Sequence, residues 1–439
     1  MRKGIGLLLI LLLTLSCAKG PYEPVGLPTD YYHRTVKKLT DVIVYDIFSP
    51  PVASRVYAYP NIAAYEVLAQ GNTAYRSLAG QINGLGTAPT APEGARLDLE
   101  IAALKAFIKT GKALVFSESK MEDYENQLIA ELKDMGIPLD VIENSMAYGS
   151  TVSDHILAWS DLDNYKQTRT YPKYTIQDDA QSWKPTPPSY MDGIEPSWNK
   201  IRTLILDSAN QFVPESPTAF NMNKDSQFYK ELMEVYDVGK NLTDEQEEIA
   251  QFWDCNPYVS HLNGHAMFAT KKITPGGHWI GITKIVTSQE KRAMPETVEA
   301  YTRVSIALFD AFISCWDEKW RSILIRPETL INQHIDEDWV PLLQTPPFPE
   351  YTSGHSVIST AAAATLTQLF GEQLNYTDST EVEFGLKPRD YTSFFNASEE
   401  AAISRLYGGI HYMPAIANGV KQGRQVGDFV NANLITKTP

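Results

Sequence analysis

Apolar residues recur at helical spacing along most of the chain, and segments with the alternation typical of strands are few and short. From Tyr31 to Ile47 the apolar side chains follow a helical period, which Ser49-Pro50-Pro51 interrupts. The same period predicts further helices over residues 52–68, 97–108, 121–135, 138–159, 243–253, 295–320 and 356–370. The pattern therefore predicts an all-α fold class, with two packed helical bundles.

Residues 165–196 break the helical pattern. This stretch is rich in aromatic residues and proline and has no lasting period, which indicates a long ordered loop or lid. We expect residues 29–200 to form an N-terminal helical region that includes this loop. Residues 201–439 are expected to form a C-terminal helical bundle that carries the functional site in its core.

The N-terminus has the pattern of an export signal. Positive charge at positions 1–3 precedes an apolar run over 7–13, and Thr14-Leu15-Ser16-Cys17 follows as a small-residue site. We interpret residues 1–16 as a lipoprotein signal peptide and residues 17–28 as a tether. The protein is then exported, as a periplasmic or cell-surface lipoprotein anchored at Cys17. An ordinary secretory signal with an incidental Cys17 is the alternative.

Composition narrows the possible partners. The chain of 439 residues is 43% hydrophobic and 21% charged, which is typical of a globular protein. Its formal net charge of -15 disfavours binding to nucleic acid and to anionic lipid headgroups. The expected contact with a membrane is therefore limited to an N-terminal lipid anchor. Cys255 and Cys315 are expected to remain free thiols. Composition selects no oligomeric state.

Cations and helix ends cluster between Lys319 and His411. Lys319 and Arg326 are seven positions apart, so a continuous helix would present both on one face, where an oxyanion could neutralise them. Ser353-Gly354-His355 directly precedes an Ala-rich helix, and free N–H groups at a helix N-terminus favour an anion.

The third group of residues contains Arg405 and His411. We expect Ser398 to begin the helix that carries Arg405, and Gly408-Gly409 to end it, which frees His411 to approach the same anion. Two histidines beside three cations suit acid–base or nucleophilic work on a tetrahedral oxyanion.

This three-part pattern resembles the signature of the vanadium-dependent haloperoxidases and of the type 2 phosphatidic acid phosphatase superfamily that shares their fold. The likeness is greatest to exported bacterial vanadium-dependent iodoperoxidases. It extends to Trp316-Asp317 before Lys319 and to Phe348-Pro349 with Tyr351 before Ser353. The resemblance implies vanadate as cofactor, with hydrogen peroxide and a halide, iodide favoured, as substrates.

The resemblance also implies residue roles. His411 would bind vanadium, and His355 would be the acid–base residue, with Lys319 as a further catalytic group. The residues implied to hold the vanadate oxygens are Lys319, Arg326, Ser353, the Gly354 amide and Arg405. The residues implied to border the halide are Trp316, Phe348 and Tyr258. Ala415 stands where many members have an aspartate, which leaves open what orients His411.

Two other functions remain open on the sequence. A soluble acid phosphatase of the same superfamily would use His411 as nucleophile and His355 as acid on phosphate esters. A lipoprotein that only binds phosphate or vanadate belongs to another class, and it would not require an acid–base histidine.

Overall fold

The computed structural model describes residues 22–263 and 266–438. The predicted signal peptide and Cys17 lie outside the described residues. At the end of the predicted tether, Leu27 is buried and its backbone N–H donates to Glu100 Oε2 at 2.5 Å. The chain therefore packs against the helical body from this point onward.

The described chain is mainly helical, as the hydrophobic period predicted. Five helices come first along the described chain: α1 Asp30–Asp46, α2 Pro50–Gly71, α3 Leu99–Lys112, α4 Glu118–Asp134 and α5 Leu139–Ser160. The remaining helices are α6 Tyr165–Thr168, α7 Gln227–Lys240, α8 Asp244–Phe252, α9 Pro275–Gln289, α10 Met294–Ser322, α11 Pro327–His334, α12 Gly354–Phe370, α13 Phe394–Tyr407 and α14 Met413–Asn433.

Two small antiparallel sheets complete the fold. Strand β1 Val259–Asn263 pairs with β2 Ala266–Thr270, and β3 Tyr376–Asp378 pairs with β4 Arg389–Tyr391. The first hairpin begins directly after Tyr258. The strands of both sheets have only three to five residues, so the described chain is mainly helical and the all-α expectation is confirmed.

Helix α10 joins the two halves of the molecule. It packs against α2 on the N-terminal side and against α12 and α14 on the C-terminal side. Its buried positions run almost without interruption, which is expected for a helix surrounded by others. One core extends from Leu27 before α1 to Leu434 after α14, and it includes Trp316 near the C-terminal end of α10.

The chain between Lys319 and Arg326 differs from the expected continuous helix. Helix α10 ends at Ser322, where Ile323 adopts a left-handed conformation with φ 49°. Arg326 is extended and precedes α11, whose first residue is Pro327. The two cations therefore meet because the chain turns between two helices, and the prediction of one helix face was wrong.

Ser398 does not begin the helix that carries Arg405. That helix, α13, begins at Phe394, and Ser393 Oγ accepts from the backbone N–H of Asn396 at 3.1 Å. Ser393 is thus the capping hydroxyl.

None of the helices in the described part of the chain is long and apolar enough to cross a membrane.

Candidate active site

A cavity of about 160 Å³ lies near the C-terminal end of α10. Its lining includes seven of the predicted residues: Tyr258, Trp316, Phe348, Gly354, His355, Arg405 and His411. The long loop contributes Ile194 to the wall. The other three predicted residues, Lys319, Arg326 and Ser353, are fully buried next to this lining.

Three buried cations meet here without a carboxylate partner. Lys319 donates to two backbone carbonyls at 2.9 and 3.0 Å, and Arg326 donates to two others at 3.0 and 2.7 Å. Arg405 Nη2 donates to the Trp253 carbonyl at 2.7 Å. Among the ion pairs of residues 22–263 and 266–438, none includes any of the three cations. Buried charge of one sign calls for a counter-ion, so the group forms an anion site.

The same burial perturbs the ionisation of these side chains. It lowers the pKa of Lys319 to about 7, and it lowers the pKa of Arg326 and of Arg405 to about 10. Each shift reports that the charged form lacks solvation. A bound oxyanion would stabilise all three charges at once.

His411 is fixed in one tautomer by its two neighbours. Its Nδ1 lies 2.8 Å from Glu350 Oε1, and its Nε2 lies 3.2 Å from Arg326 Nη1. Arginine can only donate, so Nε2 must accept and the ring proton lies on Nδ1, where it points at the carboxylate. The lone pair of Nε2 therefore faces the cations, which is the arrangement that a metal-binding imidazole requires.

Glu350 replaces the carboxylate that the sequence lacks at Ala415. Its Oε1 also accepts from the Tyr412 backbone N–H at 3.0 Å, which holds the carboxylate against the imidazole. Burial raises the pKa of Glu350 to about 7, although Arg326 and Lys319 oppose the shift. Sequence reasoning missed this residue, because nothing in the spacing between positions 350 and 411 indicates a contact.

The N-terminus of α12 supplies neutral donors. Ser353 Oγ accepts from the backbone N–H of Ser356 at 3.3 Å and from its hydroxyl at 2.9 Å, so its own proton stays free to donate. A Cβ added to Gly354 would lie 3.7 Å from Trp316 and 4.0 Å from Lys319. Glycine thus leaves the space beside Lys319 Cε open. The contribution of Ser356 was also missed from sequence.

His355 has a free nitrogen in the same cavity. Its Nε2 is buried and has no hydrogen-bond partner among the described residues, while the ring also bonds the Trp253 backbone. Burial, together with the charge of Arg405, lowers the pKa of His355 well below its ordinary value. A neutral imidazole of this kind can accept a proton from a substrate.

Aromatic rings form the other side of the cavity. The ring centroids of Trp316 and Phe348 are 5.0 Å apart, and Lys319 Nζ lies 5.0 Å from the centroid of Phe348. Trp316 Nε1 donates to the Ile194 carbonyl at 3.2 Å, so the long loop fixes the indole. The ammonium of Lys319 therefore lies over the face of the Phe348 ring, and apolar rings border the cavity beside a cation.

Known proteins resemble this chain in sequence and in fold. Residues 299–436 match the family model described as the VCPO second helical-bundle domain. The structure resembles the crystal structure of a bacterial vanadium-dependent iodoperoxidase with a TM-score of 0.90 and 51% sequence identity, over 95% of this chain and 99% of that chain. This chain belongs to the vanadium-dependent haloperoxidases.

More distant members share the fold of this haloperoxidase. A holo-type bacterial vanadium-dependent chloroperoxidase matches with a TM-score of 0.68 and 16% identity, over 88% of this chain and 93% of that one. An apo-type bacterial vanadium-dependent chloroperoxidase matches with a TM-score of 0.66 and 16% identity, over 88% of this chain and 94% of that one. A comparison with curated protein sequences found no match.

The residues of this haloperoxidase fit the family's cofactor, vanadate. Arg326 Nη2, like His355 Nε2, is buried without a partner among the described residues. These two atoms, the unpaired cations, the Ser353 hydroxyl and the open space at Gly354 suit a compact oxyanion with oxygens on several sides. Glu350 keeps the proton of His411 on Nδ1, so His411 Nε2, which accepts from Arg326 Nη1 in this structure, is the nitrogen that would hold a metal.

Proposed function

We propose that this haloperoxidase oxidises iodide with hydrogen peroxide to hypoiodous acid. The observation that carries the proposal is the 51% identity to a bacterial vanadium-dependent iodoperoxidase over 95% of the chain. Identity to the bacterial chloroperoxidases is only 16%. Iodide is also the easiest of the halides to oxidise, so it makes the smallest demand on the site.

In this proposal the buried groups of the site hold the vanadate. His411 Nε2 holds vanadium, with Glu350 keeping the proton on Nδ1. The three cations neutralise the vanadate oxygens, and Ser353 Oγ and the Gly354 N–H donate to them. When bound, vanadate supplies Lewis-acid activation of hydrogen peroxide toward attack by a halide.

His355 is the proposed proton carrier. Its lowered pKa keeps Nε2 free of a proton at neutral pH, so this atom can take a proton from hydrogen peroxide as it enters. The same nitrogen can return the proton when hypoiodous acid leaves. Arg405 holds the region in place, because it donates to the same Trp253 carbonyl to which the His355 ring is bonded.

Trp316 and Phe348 are proposed to receive the halide, with Tyr258 at the edge of the same cavity. Their rings exclude water on one side, and the ammonium of Lys319 attracts a negative ion to the other. A large, weakly hydrated ion loses little solvation on entering such a site. This physical preference supports iodide over chloride.

The test is halide oxidation by protein loaded with orthovanadate. Triiodide formation from iodide and hydrogen peroxide is measured beside bromination and chlorination of a dye. We expect kcat/KM for iodide to exceed that for bromide by about tenfold or more, which corresponds to about 1.4 kcal/mol. Equal or faster oxidation of bromide would refute the iodide assignment.

We also propose export as a lipoprotein anchored at Cys17. The support is the sequence of residues 1–17, with its positive start, its apolar run and its terminal cysteine. Cells that express the full chain should label it with radioactive palmitate, and a Cys17→Ser variant should lose the label. Labelling that persists in the variant would contradict the anchor.

A further inference from the structure

A second cluster of ligand-type side chains lies beside the cavity, outside the groups assigned above. Cys255 follows α8 and lines the cavity, and His278 lies in the first turn of α9. Glu381 follows β3. All three side chains are buried, with 1%, 0% and 0% of their surface exposed.

The three ligand atoms have the mutual spacing of a metal site. Cys255 Sγ lies 3.3 Å from His278 Nδ1 and 3.7 Å from Glu381 Oε1. His278 Nδ1 lies 3.3 Å from the same Glu381 oxygen. Zinc with bonds of about 2.3 Å to sulfur and about 2.1 Å to nitrogen and oxygen places tetrahedral ligands roughly 3.3–3.6 Å apart. The cluster therefore matches one face of such a tetrahedron.

The opposite nitrogen of His278 is held as in metal-binding histidines. Its Nε2 lies 2.8 Å from Asp378 Oδ2, and both side chains are fully buried. A carboxylate at this position keeps the ring proton on Nε2 and leaves the Nδ1 lone pair for a metal. The stacked indole of Trp253, with ring centroids 4.4 Å apart, fixes the plane of the ring.

The charges of the cluster also favour a cation. Glu381 Oε2 is buried and has no hydrogen-bond partner among the described residues. The buried carboxylates of Asp378 and Glu381 lie on opposite sides of the His278 ring, and their negative charge favours a bound cation.

From this geometry we propose that Cys255 Sγ, His278 Nδ1 and Glu381 Oε1 bind one divalent metal ion of the zinc class. The three protein atoms occupy one face of the coordination shell, and water completes it. Because soft sulfur and imidazole ligands accompany one oxygen, zinc is favoured over magnesium or calcium. This ion is separate from the vanadium that His411 holds.

The metal would stabilise one wall of the cavity. Cys255 is two residues from Trp253, whose carbonyl anchors Arg405 at 2.7 Å. Binding Cys255 to α9 and to Glu381 fixes the segment that carries this carbonyl. The role of the ion is structural, and we assign no step of the halide reaction to it.

The test is the metal content of the purified full chain, measured by mass spectrometry for zinc and vanadium in the same sample. We expect about one zinc per chain without added vanadate. Cys255→Ser and Glu381→Gln should each lower zinc content by about tenfold or more. Cys315→Ser, which changes the other buried free cysteine, is the matched control and should retain zinc.

Cobalt gives a readout that does not depend on the stability of a variant. Wild-type protein, stripped with a chelator and reloaded with Co²⁺, should show a thiolate-to-cobalt absorption band and recover its melting temperature. His411→Ala should retain this band while it loses vanadium. Wild-type protein that contains no divalent metal and binds neither Zn²⁺ nor Co²⁺ would overturn the proposal. Metal retained equally in Cys255→Ser and Glu381→Gln would overturn the ligand assignment.

Discussion

Replacement of Glu350 by glutamine tests how His411 is held. The substitution keeps the size of the side chain but removes the negative charge that faces His411 Nδ1 at 2.8 Å. A hydrogen bond to a charged group contributes about 1.5–3 kcal/mol, and a neutral one about 0.5–1.5 kcal/mol. The loss is therefore about 1–2 kcal/mol, which weakens vanadate binding roughly 5- to 30-fold. A glutamine amide that donates to His411 Nδ1 would also favour the wrong tautomer.

The assay for Glu350→Gln is titration of vanadate-free protein with orthovanadate, followed by calorimetry and by recovered iodide oxidation. Both readouts should give the same weakened Kd, while the melting temperature without vanadate changes little. Glu328→Gln is the matched control. Glu328 is also buried and influenced by Arg326, but no hydrogen bond joins it to His411. An unchanged Kd in Glu350→Gln would refute the orienting role of this carboxylate.

Four further predictions follow from the site. Because the pKa of His355 lies below its ordinary value, kcat/KM for peroxide should fall only as pH drops through that lowered pKa. The His355→Ala variant should lose this decrease at low pH, and its rate should fall by about 10²- to 10⁴-fold. An unchanged pH profile in the variant would count against the assignment. Because the pKa of Lys319 is lowered to about 7, the side chain loses its charge as pH rises through 7. Vanadate binding at higher pH should therefore be accompanied by uptake of an extra proton, which calorimetry would detect in the wild type but not in Lys319→Met. Equal proton uptake by both proteins would contradict the role of Lys319. Ser356→Ala removes the hydroxyl that donates to Ser353 Oγ, and it should weaken vanadate binding by up to about tenfold in the same titration. Unchanged affinity would mean that this hydrogen bond does not contribute to vanadate binding. Phe348→Ala should raise KM for iodide by a larger factor than it changes the Kd for vanadate. A larger change in the vanadate Kd than in KM would show that iodide does not bind beside this ring.

The sequence predicted the parts of the site that depend on local structure. Ser353-Gly354-His355 does begin a helix, because the Ala-rich stretch behind it is strongly helical and a hydroxyl caps its first turn. The fold class and the family also followed from period and motif. The cations were predicted to converge, and they do, although not on one helix face.

The remaining features depend on tertiary structure. An isoleucine in a left-handed conformation ends α10 at Ser322, and no residue preference signals this conformation. The contact of Glu350 with His411 joins residues 61 positions apart. The cluster around His278 likewise unites three separate segments. Hydrophobic period reports which face of a helix is buried but not which distant side chain it meets.

Reconstitution of the vanadate-free protein tests most directly whether the reaction depends on vanadate held by His411. Orthovanadate is added in steps, and triiodide formation from iodide and hydrogen peroxide is measured beside hydrolysis of p-nitrophenyl phosphate. We expect oxidation to rise in proportion to vanadate and to level off at about one vanadium per chain. Phosphate should compete, and His411→Ala should remain inactive at the same vanadate concentrations. Full oxidation by His411→Ala, or phosphate ester hydrolysis with no vanadate-dependent oxidation, would contradict the account.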